Sequence, residues 1–193
     1  PLLKINNKTI INHVYDNVSK LDVKKILILT DDKRIKNEVN SFNGECHIIT
    51  DDCLNGTDRI IKYLEKNVNE INDNTIIVNV QGDEPFINHN NIKLAIDNYV
   101  KKKKVDDMIV CSTLYYKTKD ENNIKNKSRG KAVLDLNGNI MYCSRNIIPS
   151  GKKDNIIKDH EYNIHIGIFV FNLEYLLKYY KNFNTPLQLC EDI

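Results

Sequence analysis

The stretch Thr75-Ile-Ile-Val-Asn-Val80, followed at once by Gln81-Gly-Asp-Glu-Pro85, constrains the fold more than any other part of the chain. A short run rich in Ile and Val reads as a buried strand. The glycine, two acids and proline behind it end that strand in a turn. An amphipathic segment follows, with Ile92, Ala95, Ile96, Tyr99 and Val100 in helical register. Strand, tight loop and amphipathic helix together make the unit of a layered α/β domain.

The same alternation recurs on both sides. Lys24–Thr30 (KKILILT) reads as a buried parallel strand, and Asp31, Asp32 and a helix over 33–41 follow it. His47–Thr50 is a second strand. The loop TDDCLNGTDR then leads into a helix whose apolar face is Ile60, Ile61, Leu64, Val68 and Ile71, with Thr57 or Asp58 as its cap. Met108–Tyr116 is a further strand, and the polar stretch 119–128 reads as a loop. Two alternating runs flank Asn137-Gly138, which predicts a hairpin with positive φ at both turn positions. His165–Asn172 is another strand, and Leu173, Leu176, Leu177 and Tyr180 mark a last helix. The pattern predicts one α/β domain over 1–193, with a nucleotide-binding type of sheet in its first half. The antiparallel hairpin of the second half is suited to a substrate lid or a dimer surface.

Composition narrows the function. Hydrophobic residues make up 41% of the chain, enough to close a core. Net charge is +2, which gives no support to a nucleic-acid or membrane-surface protein. The five cysteines show no CxxC spacing, so a zinc site or disulfide framework is disfavoured. No run approaches the roughly 18 apolar residues of a membrane span. The GxxxxGK[ST], GxGxxG, HExxH and GxSxG motifs are all missing, and with them the usual support for P-loop, dehydrogenase, zincin and serine-hydrolase readings.

Candidate chemistry sits where strands end. Open α/β sheets bind ligands outside the carboxyl ends of their strands. There Gly82 permits close backbone approach, and Asp83 and Glu84 supply the hard oxygens that Mg²⁺ takes together with phosphates. The same composition also suits an ordinary surface turn. Gly56-Thr57-Asp58-Arg59 opens a helix, where N–H groups and an arginine can hold an anion, or can simply form a capped turn. The arginines of this lysine-rich chain are Arg34, Arg59, Arg129 and Arg145, and lysine cannot copy their planar fork. Arg145 can grip a carboxylate or join an ion pair. His165, just before Gly167, is by itself as well explained by structure as by chemistry. Lys101–Lys104 is a solvated helix end.

Taken together, ILTDD, NGTDR, IIVNVQGDEP, KAVLDLNGNIMYCSRNIIP, HIGI and TPLQL resemble the 3-deoxy-manno-octulosonate cytidylyltransferase (CMP-Kdo synthetase) family in order and spacing, nearly end to end. The resemblance implies a three-layer, mostly parallel α/β nucleotidyltransferase that turns CTP and the acidic sugar Kdo into CMP-Kdo and pyrophosphate, with Mg²⁺, in a homodimer serving lipopolysaccharide synthesis. It implies Asp83 as metal ligand and, with Arg145, as a catalytic group. Gln81 and Gly82 would belong to the CTP site, bordered by Gly56, Thr57 and Arg59. Arg145, His165, Gln188 and Glu191 would lie around the sugar. The family's basic N-terminal loop would precede Pro1 and its last metal-sharing Asp would follow Ile193. Phe169 and Phe171 stand where many bacterial members carry tyrosines. The expected partners are the small molecules CTP and Kdo, with no nucleic acid and no membrane. The expected compartment is the cytoplasm, or an organelle if a targeting segment precedes Pro1. The rival readings are a transferase for another sugar acid, such as one activating sialic acid, and an inactive homologue acting as a scaffold.

Overall fold

The computed structural model describes residues 1–68, 71, 72, 74–182, 185 and 186. In chain order the first elements are β1 (Lys4–Ile5), β2 (Lys8–Thr9), α1 (Ile10–Val18), β3 (Ile28–Thr30), α2 (Lys33–Ser41), β4 (Cys46–Ile48), α3 (Gly56–Asn67), β5 (Ile76–Val80) and α4 (His89–Val105). They are followed by β6 (Cys111–Thr118), α5 (Glu121–Lys125), β7 (Lys131–Leu134), β8 (Ile140–Ser144), β9 (Tyr162–Asn172), α6 (Leu173–Lys178) and a 3-10 turn, Tyr180–Asn182. Two compact units emerge among the described residues, one built from Pro1–Ser112 with Gly167–Asn182 and the other around Thr113–Ile166.

In the first unit, β1 and β2 form a hairpin turned by Asn6 and Asn7, at φ 49° and 64°. Asparagine tolerates that region because its short polar side chain bonds locally. The expected parallel pairing is present between β3 and β4, from Ile28↔Cys46 to Thr30↔Ile48. β3 is shorter than the apolar run suggests; at its head Lys25 forms a 2.8 Å ion pair with Glu45 and stays exposed. α2 has the bounds read from sequence, capped by Asp32, which accepts Arg34 N–H at 2.7 Å. β5 pairs antiparallel with the C-terminal half of β9, from Ile76↔Asn172 to Val80↔Ile168. Ile61, Tyr63 and Leu64 of α3 pack with Ile49, Phe171, Leu173 and Leu176 in one core cluster of this unit. Val68 is exposed rather than on that face, because α3 ends before it.

In the second unit, β7 is central. It pairs antiparallel with β8 and with the N-terminal half of β9, through Lys131↔Ser144 and Lys131↔Ile164. The hairpin is as expected, but its turn is not. Only Gly138 has positive φ, +80°, and Asp135 N–H donates to Asn139 O at 2.9 Å. The Asp135 carboxylate also takes the Asn137 and Asn139 N–H groups, both at 2.8 Å, and so stabilises a longer loop that needs one glycine. The stretch read as a polar loop holds the short helix α5. Asp120 caps it, and Ile124 is fully buried against Tyr162 and Ile164. One apolar side chain at the right register outweighs the polarity around it.

Candidate active site

The carboxyl end of β5 is shaped by backbone. Glu84 N–H donates to Gln81 O at 3.4 Å and Ile87 N–H to Glu84 O at 3.1 Å, which turns the chain back. Buried Ile87 anchors the exit. Val80↔Ile168 pairing sets Gln81 opposite Gly167. A Cβ at Gly167 would lie 2.6 Å from Gln81 Cδ and 2.7 Å from its Oε1, so the amide occupies the space a side chain would fill. At Gly82 a Cβ would meet Ile11 Cδ1 at 3.1 Å. Asp83 is exposed, with no hydrogen bond or ion pair to any described residue.

The head of α3 differs from its sequence reading. Asn55, not Thr57 or Asp58, is the cap. Its Oδ1 accepts Asp58 N–H at 3.0 Å, and Asp58 Oδ2 accepts Leu54 N–H at 3.1 Å. The reciprocal pair satisfies donors that the helix start leaves open. Thr57 is buried, and its hydroxyl accepts the Asn79 amide at 3.3 Å. Gly56 has open space where a Cβ would stand, so its backbone is approachable. Arg59 Nη2 donates to Asp31 Oδ2 at 2.8 Å, while its buried Nε has no partner among the described residues.

In the second unit, His165 Nε2 lies 2.8 Å from Thr113 Oγ1, and His165 N–H donates to Gly130 O at 2.9 Å. Burial pushes the imidazole down to about 4, so it is neutral at pH 7. Arg145 follows β8 and its Nη1 donates to Lys127 O at 3.2 Å. Gln188 and Glu191 lie outside the described residues.

The family model described as cytidylyltransferase matches residues 1–193. This chain belongs to the cytidylyltransferase family. Among curated relatives, it is 37% identical to a 3-deoxy-manno-octulosonate cytidylyltransferase of Protochlamydia amoebophila, over 100% of this chain and 73% of that protein. It is 33% identical to the Fusobacterium nucleatum protein of the same name, over 100% and 74%. Among solved structures, a CMP:2-keto-3-deoxy-manno-octonic acid synthetase complexed with CTP superposes with TM-score 0.80 at 25% identity, over 100% of this chain and 75% of that one. The α/β nucleotidyltransferase fold expected from sequence is therefore the fold observed. A 4-diphosphocytidyl-2C-methyl-D-erythritol synthase of Anaerococcus prevotii shares that fold at TM-score 0.56 and 13% identity.

Within this cytidylyltransferase the first unit brings together Gln81 and Gly167, Thr57 and Asn79, and Arg59 and Asp31; the second holds Arg145 and His165. Thr113, Lys131 and Gly167 touch these candidate residues, at His165, Arg145 and Gln81 respectively, and sequence reasoning did not single them out for that. Lys131 carries one usable signal, a lysine heading the apolar strand KAVL. Thr113 and Gly167 depend on strand register, which the sequence does not display. The donor set also bears on metal. Among the described residues no group of three or more His, Cys, Asp or Glu could cage an ion. An exposed single carboxylate such as Asp83 instead fits Mg²⁺, which commonly takes one or two carboxylates and fills its shell with water and phosphate oxygens.

Proposed function

We infer that this protein transfers CMP from CTP to Kdo, giving CMP-Kdo and pyrophosphate. The observation that carries the reading is whole-chain similarity to relatives bearing that name, joined to a QGDEP turn that leaves Asp83 exposed at a strand end.

In the reaction the anomeric hydroxyl of Kdo attacks the α-phosphate of CTP. A new P–O bond forms, the bond between the α-phosphate and the bridging oxygen breaks, pyrophosphate leaves with the electron pair, and the hydroxyl proton passes to solvent or a phosphate oxygen. Positioning and charge neutralisation supply most of the acceleration in such transfers. Asp83 is the residue proposed to hold Mg²⁺ with the phosphates. Bound there, the ion supplies neutralisation of the charge that develops as pyrophosphate departs. Gln81, seated against Gly167, offers an amide to the nucleotide, and the Gly56 backbone is open to the same ligand. Arg145 is proposed to orient the Kdo carboxylate through its fork. Neutral His165 can hydrogen-bond a sugar hydroxyl without adding charge. The proposal includes a homodimer, for which sedimentation should return twice the chain mass.

The test is Asp83→Asn in the full-length protein. CMP-Kdo formation should fall by about a hundredfold or more, the range seen when one electrostatic stabiliser is removed, and its response to Mg²⁺ should weaken. Unchanged turnover and Mg²⁺ dependence would refute the metal role. Product formation with other 2-keto sugar acids, sialic acid among them, separates the neighbouring specificities. A scaffold protein would show no Mg²⁺-dependent heat on CTP titration.

A further inference from the structure

Lys131 is fully buried, although its side chain ends in an amine. Its Nζ donates to three main-chain carbonyls: Asn126 O at 3.0 Å, Arg129 O at 2.8 Å and Arg145 O at 2.5 Å. An ammonium has three N–H groups and no acceptor, so three carbonyls match its chemistry. Burying such a group is unfavourable unless it is compensated in this way, and an apolar residue often fills the same space with no loss of stability. A purely structural demand at this position is therefore met more simply by a methionine.

What Lys131 holds is informative. It sits on the central strand β7, paired with Ser144 on one side and Ile164 on the other. Those are the residues immediately before Arg145 and His165. Its ammonium grips the carbonyl of Arg145 and two carbonyls of the segment 126–129. The Arg145 guanidinium itself donates to Lys127 O, within that same segment. One buried side chain thus ties Arg145's main chain to the loop that its side chain touches. Ser144, also buried, accepts Asn146 N–H at 3.0 Å and fixes the chain just beyond.

We propose that Lys131 is a positioning residue for the sugar-acid site, presetting Arg145 for the carboxylate of a 2-keto sugar acid. The inference rests on the reading of Arg145 given above. Its effect is pre-organisation: a loosened guanidinium must be ordered by the ligand at the ligand's expense.

The experiment compares K131M, K131Q, R145A and K131M/R145A in the full-length protein, with kcat and KM for each substrate and thermal unfolding alongside. K131M is expected to raise KM for Kdo about tenfold while KM for CTP stays within twofold. K131Q, with two donors and no charge, is expected to fall between. In the R145A background, K131M should add less than twofold, because a residue acting through Arg145 has nothing left to position. Wild-type KM for Kdo in folded K131M and K131Q overturns the proposal. So do effects that multiply in the double variant, equal losses for both substrates, or failure of both Lys131 variants to fold, which assigns the ammonium to stability alone. If R145A raises KM for Kdo and K131M does not, only this inference fails. If R145A leaves that KM unchanged, the reading of Arg145 fails and this one with it.

Discussion

Replacing Gly167 by alanine separates positioning from stability in the nucleotide half of the site. The added Cβ would stand 2.6 Å from Gln81 Cδ, 2.7 Å from Oε1 and 3.0 Å from Nε2. Carbon atoms attract best at about 3.5–4.0 Å, so the whole amide must retreat by roughly 1 Å. The obstacle is the flexible end of an exposed side chain, and no left-handed φ bars alanine at this position. Moving Gln81 off its rotamer costs about 0.5–1.5 kcal/mol. Replacing glycine stiffens the unfolded chain and returns about 0.4–1 kcal/mol. The two nearly cancel, so the melting temperature should move by only a few degrees. The hydrogen bond proposed from that amide to the nucleotide does not cancel. A net loss of about 0.5–1.5 kcal/mol corresponds to a rise of roughly two- to tenfold in KM for CTP, at 1.4 kcal/mol per decade. Steady-state kinetics with CTP varied at saturating Kdo reads this directly. Gln81→Ala should give a similar rise, and the double variant little more. A G167A enzyme with wild-type KM for CTP, or one that melts far below the parent, refutes the argument.

His165 should make stability pH-dependent. Burial holds its folded pKa at about 4, below the unfolded value of 6.5, so the unfolded chain binds more protons between those pH values. Stability is fully present above pH 6.5 and falls as pH drops toward 4, by at most about 3.4 kcal/mol; His165→Gln should flatten that part of a denaturation-versus-pH curve. Asn55→Ala removes the cap of α3 and should cost about 1 kcal/mol, read as a lower urea midpoint with an unchanged slope.

What was legible in the sequence was local. The helix α2 over 33–41, the QGDEP turn and the hairpin around Asn137-Gly138 each depend on residues within a few positions, and each is found, although the hairpin's turn differs from the one expected. Asn55 was missed as a cap because Thr57 and Asp58 offered equally good cap chemistry nearby. The helix α5 was hidden because Ile124 is a single apolar residue among polar ones, and only burial against Tyr162 and Ile164 gives it weight. The contacts that support the candidate site are of another kind. Gln81 meets Gly167, and His165 meets Thr113, only once β5 and β6 are set beside β9 in register. A lysine at the head of KAVL hints that Lys131 is unusual, but it is held by carbonyls, which every residue carries, so the sequence does not show what holds it.

The acids that follow strands differ in one respect that bears on catalysis. Asp31 pairs with Arg59, Asp32 caps α2 and forks onto Arg34, Asp51 pairs with Lys66, and Asp135 closes a hairpin. Asp83, its neighbour Glu84 and Asp52 behind β4 are exposed and have no such partner among the described residues, although the chain carries 28 lysines and arginines; of the three, Asp83 is the one proposed to face the nucleotide. An unneutralised carboxylate beside a triphosphate is repulsive: two like unit charges about 5 Å apart repel by about 1–3 kcal/mol between bulk-water and protein-surface dielectrics. Such a placement is favourable only when a divalent cation joins the two anions. The expected result is a change of sign. In EDTA, D83N should bind CTP about five- to a hundredfold more tightly than the parent, since a repulsion has been removed. With Mg²⁺ saturating, it should bind more weakly, since a ligand has been removed. Calorimetric titrations of CTP into both proteins, with and without Mg²⁺, measure all four affinities. An Asp83 that serves only the turn would leave the two proteins equally affected by the metal, and parallel rather than crossed affinities would remove the carboxylate from the metal site.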